Sequence, residues 1–494
     1  MHQLTKFAGQ FSLGTLALAA TIVACSDLPT TPKAPMRPSL AISTATGIPT
    51  GKTIVIFKDT AAIPAAGLNL LSSLGGTVTT KWDDMGVAVV TGLSVQSLAA
   101  LRASDLVDDA GNDRILNWLP KFRIGPTVNA GVGVVPHGDP SLARYYADGT
   151  QWPMRIIKAD KAWAAGFLGT PTTRVAIVDT GIDYDHRETK GHVDLAASKS
   201  FSSLIISEQG VEQNVPVEPQ YPGDQPFMDN HFHGTHVAAT IASNNVSVAG
   251  VAPNVTLIAV KVLNFQGSGT FESVASGILH ASGPAKADVI NMSLGAEVDP
   301  REDGVPALLK FMSRTIRKAE KNGTIVISAA GNSSLNLDQG FLVATPCEES
   351  TICVSATGPL LQQNFDQAAS YTNFGITAID VAAPGGNATD NDAEYQTEDL
   401  VIGACSRRAS DATLNVCRAN TDGVVYFYAF AAGTSMATPH VVGEAAQVKS
   451  QRPTLSVKGI RDRILRTADD VQAPGRDVYT NNGRINVARA LGLE

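Results

Sequence analysis

Apolar and polar positions follow three rhythms along the chain: one short apolar run near the start, a proline-spaced polar stretch, and then strand-like and helix-like segments to the end. From Lys52 the pattern predicts a small unit. Thr53 to Phe57 is a β-branched and aromatic run, and Pro64 to Leu74 carries Leu68, Leu70, Leu71 and Leu74 at spacings that fit one helical face. Thr77 to Trp82 and Val87 to Val90 read as strands, Ser94 to Leu101 as a second helix with Ser94 as its N-cap, and Ile115 to Leu119 as a last strand. The order is βαββαβ over residues 52–120. Residues 121–150 contain Pro126, Pro136, Pro140 and five glycines without periodicity, and read as a linker.

From about Gln151 short hydrophobic strands alternate with helical stretches. Arg174 to Asp179, Thr256 to Leu263, Val289 to Met292, Thr324 to Ala329, Ile352 to Ser355 and Ile379 to Val381 are the strand candidates. Such alternation implies right-handed crossovers and an α/β fold, a mostly parallel sheet with helices on both faces. Sites in these sheets gather at the carboxyl ends of the strands. No internal repeat is visible.

Near the start, Lys6 precedes a mostly apolar run from Phe11 to Ala24, ending Ile22-Val23-Ala24-Cys25. Residues 1–24 have the shape of a secretory signal, and the end of the run resembles a bacterial lipobox, which implies lipidation of Cys25. Ordinary cleavage with Cys25 incidental is the alternative. Residues 25–51 form a Pro/Thr-rich tether, so the expected location is the cell envelope or the exterior, with membrane contact only through a lipid. No later stretch of about 18 apolar residues suggests a membrane span.

The 494 residues allow two or three folding units at roughly 100 to 200 residues each. Charged residues make up 17%, and 38 basic against 46 acidic side chains leave a formal charge of −8 with no long basic run. That balance argues against nucleic acid and against anionic lipid as partners. Beyond Cys25 four cysteines remain, Cys347, Cys353, Cys405 and Cys417, an even number suited to an oxidising compartment. Three pairings are possible; proximity favours Cys347 with Cys353 and Cys405 with Cys417, and free buried thiols are the alternative. Neither pair has zinc-site spacing.

Three segments carry candidate chemistry. In Val175-Ala176-Ile177-Val178-Asp179-Thr180-Gly181 an apolar strand runs straight into an acid and a glycine turn. Alone, Asp179 would read as a turn or cap residue. In Asp229-Asn230-His231-Phe232-His233-Gly234-Thr235-His236 a histidine opens an Ala/Val-rich helix, where one ring nitrogen can be held by an acid while the other faces a nucleophile. His231, His233 and His236 lack the i, i+4 spacing of a zinc helix. In Ala432-Gly433-Thr434-Ser435-Met436-Ala437-Thr438-Pro439-His440 small residues crowd a serine at a helix mouth, near backbone N–H groups and the positive helix end. His440 reads as a packed helix residue. A fourth segment, Ile325 to Asn332, ends a strand with an amide side chain suited to an oxyanion.

Together these segments resemble the subtilisin-like serine proteases, or subtilases, with the Asp, His, Ser chain order of that family. The resemblance spans about residues 151–490. It implies Asp179, His233 and Ser435 as catalytic residues, with Asn332 and the Ser435 N–H as the oxyanion hole. It further implies a substrate-binding edge at Ser293, Leu294 and Gly295 and pocket walls at Ala329, Ala330 and Gly331, with preference for large hydrophobic residues. The 52–120 unit resembles an inhibitory propeptide, with the self-processing bond expected in linker 121–150. Asp194 and Asn244 match positions that ligate a structural calcium in many relatives, and calcium favours such oxygen ligands; no cofactor is implied for the chemistry.

The expectation is therefore an exported serine endopeptidase acting on proteins or peptides, with its own propeptide as inhibitor. Val237 stands where proteinase K-like relatives carry a cysteine, and the segments 198–228 and 386–430 are longer than in compact members. A peptide-capturing module without turnover and a metallohydrolase are the rival classes.

Overall fold

Val175 to Val178 are all fully buried, so both faces of this strand are covered, and its unbroken apolar run follows from that. In the computed structural model, residues 47–119, 122–129, 138–202, 204–206, 212–214, 223–340, 343–347, 350–389, 391, 394–409, 417 and 427–494 are described. The expected signal sequence, Cys25 and nearly all of the expected tether lie outside them. Among the described residues no helix is long and apolar enough to cross a membrane.

The N-terminal elements are β1 (Ile48–Phe57), α1 (Ala65–Ser73), β2 (Thr77–Trp82), β3 (Val87–Thr91), α2 (Val95–Arg102) and β4 (Val107–Asn117), in the order βαββαβ. Ser94 caps α2 by accepting from the Ser97 N–H. The last strand starts at Val107, eight positions before the sequence pattern places it. Asp108, Asp109, Gly111, Asn112 and Asp113 have poor strand propensity. Pairing with β1 overrides it, and Asp108 and Asp109 face cations of a helix described below.

After β5 (Arg123–Asn129) the larger part follows: β6 (Arg174–Asp179), β7 (Lys199–Ser200), α3 (His233–Ile241), β8 (Thr256–Lys261), β9 (Ser268–Thr270), α4 (Phe271–Ser282), β10 (Val289–Met292), α5 (Val305–Lys321), β11 (Ile325–Ala329), β12 (Thr351–Thr357), β13 (Val381–Pro384), β14 (Val401–Ala404), β15 (Phe427–Ala432) and α6 (Thr434–Gln451). Seven strands form one parallel sheet in the order β13-β12-β11-β10-β6-β8-β7. Alternate residues of β6 serve opposite layers. Val175 and Ile177 join the core of α3 and α6, whereas Ala176 and Val178 join that of α4 and α5.

The N-terminal sheet, in the order β9-β4-β1-β3-β2, borrows β9 from the larger part, with Ser268 opposite Asn117 and Thr270 opposite Ile115. Its inner face, with Val55, Phe57 and Val90, packs on Leu71, Leu98 and Leu101 of its own helices. Its outer face, with Ile54, Ile56, Val87 and Val89, shares a core with Leu308, Phe311 and Met312 of α5. The expected linker holds a strand as well: β5 pairs antiparallel with β15 in the small sheet β14-β15-β5. Gly125 and Pro126 hid it from a periodicity reading, since they sit at the irregularity in that pairing. Cysteines nearest in sequence are bonded, Cys347 to Cys353 and Cys405 to Cys417.

Candidate active site

Asp179 ends β6, and β10 and β8 flank that strand, which holds its carboxylate fully buried. Both oxygens face His233, with Nδ1 at 2.8 and 3.0 Å. The Thr180 N–H donates to one of them at 2.7 Å. His233 is also fully buried, and its Nε2 has no hydrogen-bond partner among the described residues. A carboxylate that fixes Nδ1 as the donor leaves Nε2 as the acceptor of a proton.

Asp229 sets the start of α3. One of its oxygens accepts from the His231 and Phe232 N–H groups and from Thr180 Oγ1; the other accepts from the Thr235 N–H and hydroxyl. These are the donors that a helix start leaves unmatched. Thr180 in turn accepts from the Gly234 N–H at 3.0 Å. The residue between, Phe232, has φ 143°, a strained value for a side chain with a Cβ, and it is held there fully buried. Gly234 has no room for a side chain, since a Cβ would lie 2.1 Å from the Gly181 oxygen.

Ser435 lies in the first turn of α6, whose N–H groups lack helical acceptors. Its hydroxyl donates to the Ser293 oxygen at 2.8 Å, and Ser293 Oγ donates back to the Ser435 oxygen at 2.8 Å. The serine hydroxyl thus rests on the strand edge rather than on His233. Asn332 Oδ1 accepts from the Thr434 N–H at 2.9 Å and from its hydroxyl at 2.7 Å, which turns Nδ2 toward Gly433, 3.0 Å from where a Cβ would stand. The Thr434 hydroxyl also accepts from the Gly331 N–H at 3.1 Å. Gly331 takes φ 100°, and a Cβ there would meet Asn373 at 2.4 Å. Leu294, Ala329 and Ala330 are buried around this corner, and Gly295 presents its N–H to the N-terminal unit.

Two further histidines are structural. His236 Nε2 donates to the Val401 and Ala429 oxygens, directly beneath Gly403, and burial lowers its pKa to about 4. His440 Nδ1 donates to the Met436 oxygen, and burial again lowers its pKa to about 4.

Two residues of the chain's N-terminal part, Trp118 and Phe122, lie near these groups. The Trp118 N–H donates to the Gly267 oxygen at 2.9 Å, its carbonyl accepts from the Gly295 N–H at 2.8 Å, and its indole donates to the Gly269 oxygen at 3.0 Å. Four residues on, the Phe122 ring lies 5.5 Å from the His233 ring, and its Cβ lies over Gly433.

The calcium expectation does not fit these residues. Asp194 is ion-paired to Arg174 at 2.9 Å, and its other oxygen accepts from the Ala196 and Ala197 N–H groups. Asn244 donates to the Arg187 and Lys190 oxygens, and its own oxygen meets His192 Nε2 at 3.1 Å. The loop after Asn244 turns its N–H groups inward: Glu188, fully buried, accepts from the N–H groups of Val246, Ser247 and Val248 and from the hydroxyls of Ser243 and Tyr428. A cation requires inward carbonyls; this loop encloses an anion. Among the described residues no cluster of three metal-ligating side chains occurs.

A parallel sheet with an acid–histidine pair at its strand ends and a serine at a helix mouth is the framework of a serine hydrolase. Residues 171–492 match the Subtilase family, Peptidase S8, and the chain belongs to that family. It is 34% identical over 337 residues to subtilisin DY of Bacillus licheniformis, covering 68% of this chain and 96% of that one. It is also 34% identical to the thermostable alkaline protease of Halalkalibacterium halodurans, covering 69% and 73%. Its fold matches the epidermin leader peptide processing serine protease of Staphylococcus aureus with a TM-score of 0.66 at 19% identity, covering 90% of this chain and 98% of that one. The keratinolytic fervidolysin of Fervidobacterium pennivorans matches with the same TM-score at 20% identity, covering 90% and 61%. The protein is a subtilisin-like serine endopeptidase.

Proposed function

We propose that Ser435 is the nucleophile, His233 its base and later acid, Asp179 the group that orients His233, and Asn332 with the Ser435 N–H the oxyanion donors. The observation that carries this reading is the buried Asp179–His233 contact at 2.8 Å with Nε2 left to accept. In the reaction the Ser435 hydroxyl turns from the Ser293 oxygen to His233. Its oxygen bonds to the substrate carbonyl carbon as Nε2 takes the proton, and that proton passes to the leaving amine as the C–N bond breaks. Water then repeats the step in reverse, releasing the acid and restoring the serine. Nucleophile, base and oxyanion donors all come from the chain, so the chemistry requires no cofactor. The apolar walls at Ser293 to Gly295 and Ala329 to Gly331 support preference for a large hydrophobic residue before the cut bond.

The chain is made as a precursor, in which residues 47–119 act as an inhibitory segment. Trp118 pairs with Gly295 and Phe122 lies beside His233, which supports a processing bond in the stretch between Leu119 and Phe122, the beginning of the expected linker. The sequence supports export through residues 1–24 and lipidation at Cys25.

The test is to express the chain from residue 26 alongside Ser435→Ala. The wild type is expected to cut itself between Leu119 and Phe122, shown by N-terminal sequencing, and to digest casein, unchanged by zinc chelation. The variant stays full length and inactive. Proteolysis that survives the substitution would overturn the serine mechanism; a folded wild type without turnover would mark the protein as a capturing module.

A further inference from the structure

Strand β15 runs directly into the Ser435 turn, so a peptide paired along it is delivered to that serine in a fixed register. Its two edges differ: β14 covers one, and β5, from the chain's own Arg123–Asn129, covers the other. The pairs are Arg123 with Ala432, Ile124 with Ala431, Thr127 with Ala429, Val128 with Tyr428 and Asn129 with Phe427. Phe122 sits beside His233, the group that protonates the leaving amine, so this segment lies on the leaving-group side of the cut bond.

The seat is shaped residue by residue. Phe122 enters an aromatic niche, 5.7 Å from the Phe232 ring. The Arg123 guanidinium donates to the Thr389 oxygen and lies 5.4 Å over the Tyr395 ring, in cation–π range. Ile124 packs on a cluster containing Phe232, Ala429 and the Cys405–Cys417 pair. At Gly125 a Cβ would come within 2.7 Å of Leu400 Cδ1 and 3.1 Å of Phe430 Cβ, and Leu400 is fully buried. A strand edge stripped of β5 exposes unpaired N–H and C=O groups, which an extended peptide satisfies by strand addition.

We infer that the β15 edge is a long leaving-side substrate site, occupied in the precursor by residues 122–129, which reads an extended segment with the pattern aromatic, cationic, aliphatic, glycine. The inference rests on the reading of Ser435 and His233 given above and names the substrate class of that same site. After processing, residues 123–129 leave the edge and substrates replace them.

The test uses the processed enzyme and three synthetic peptides that begin at Ile115 and end at Phe122, Gly125 or Asn129. The expected result is a rise in kcat/KM of about tenfold from the shortest to the longest peptide, consistent with a few added backbone hydrogen bonds and pockets. Within the longest, Arg123→Glu and Gly125→Val each lose most of that gain. The enzyme variant Tyr395→Ala loses the preference for Arg123 over Glu in the longest peptide. Equal kcat/KM at all three lengths would overturn the inference and leave the protease assignment intact. So would an active enzyme that retains residues 123–129, found by N-terminal sequencing with those amides protected from hydrogen exchange, or casein digestion without cleavage of any peptide. Failure of the protease reading would show differently, as casein activity unaffected by Ser435→Ala.

Discussion

The central sheet and the N-terminal sheet bury apolar residues by the same physics but are bounded differently. In β6 the whole run from Val175 to Val178 is enclosed between two helical layers, and nothing charged intervenes before Asp179. The N-terminal sheet also meets α5 through apolar residues, but its contact is rimmed by ion pairs: Lys52 with Glu272, Arg102 with Asp303, Arg114 with Glu302, and Lys310 and Arg314 with Asp108. A carboxyl group, Asp113, is pressed fully buried onto the N-terminus of α4, where it accepts from the Phe271 N–H at 3.1 Å. Burial first, then the nearby Glu272, raise its pKa to about 7, against a smaller opposing pull from Lys52. One sheet is a permanent core. The other adds to its apolar contact a rim of groups that respond to salt and pH, which suits the inhibitory role proposed for it.

The comparison can be broken most forcefully at the corner of the central sheet. Asn332→Ala is expected to lower kcat by about 100- to 1000-fold, a magnitude known from subtilisin itself, with KM little changed; steady-state kinetics on a casein-derived peptide check it. Next comes Glu444 in α6, fully buried with neither oxygen hydrogen-bonded among the described residues, whose pKa burial raises to about 8. The folded state therefore holds a proton that the unfolded chain gives up, so stability present below about pH 4.5 is lost as pH climbs through about 8. Glu444→Gln should remove an alkaline loss of a few kcal/mol, measured by urea unfolding from pH 5 to 10 in a Ser435→Ala background.

Glu188→Gln, which sets an amide donor against inward N–H groups, should cost about 2 to 4 kcal/mol. Chelating calcium should leave the wild-type melting temperature unchanged; a marked drop would restore a cation to that loop. For the N-terminal unit, inhibition of the processed enzyme by residues 47–119 added in trans should weaken as pH rises through about 7, and Asp113→Asn should flatten that profile. The smallest effect concerns the ionic rim. Raising salt to about 1 M should weaken that inhibition only a few-fold, because exposed pairs contribute about 0 to 1 kcal/mol each and are screened.

The strands of the central sheet were legible because burial on both faces leaves apolar runs with sharp ends: Arg174–Asp179 and Val289–Met292 match the pattern residue for residue. The candidate residues that the structure brings together, Asp179 with His233 and Asn332 with Thr434 beside Ser435, stood in motifs of the sequence. What the pattern hid was set by partners distant in sequence. The first half of β4 is acidic because it faces the cations of α5, and β5 is interrupted by Gly125-Pro126 because its register comes from β15. Asp229 stood in a quoted motif four positions before His233, yet its role as acceptor for four groups in and around the α3 turn depends on φ values that no periodicity encodes. The calcium positions misled for a related reason. Residue type at Asp194 and Asn244 said nothing about Arg174 and His192, which engage them.

The forced dihedral of Phe232 bears on how such an enzyme can be controlled. The backbone immediately before His233 is locked by Asp229 and by its own enclosed ring, so main-chain motion at Phe232 is not an easy way to carry the imidazole away from Asp179. An off state made by moving that stretch of backbone would have to break the whole corner. An obstruction in front of the pair would leave the corner intact, and the aromatic side chain of Phe122 lies 5.5 Å from the His233 ring.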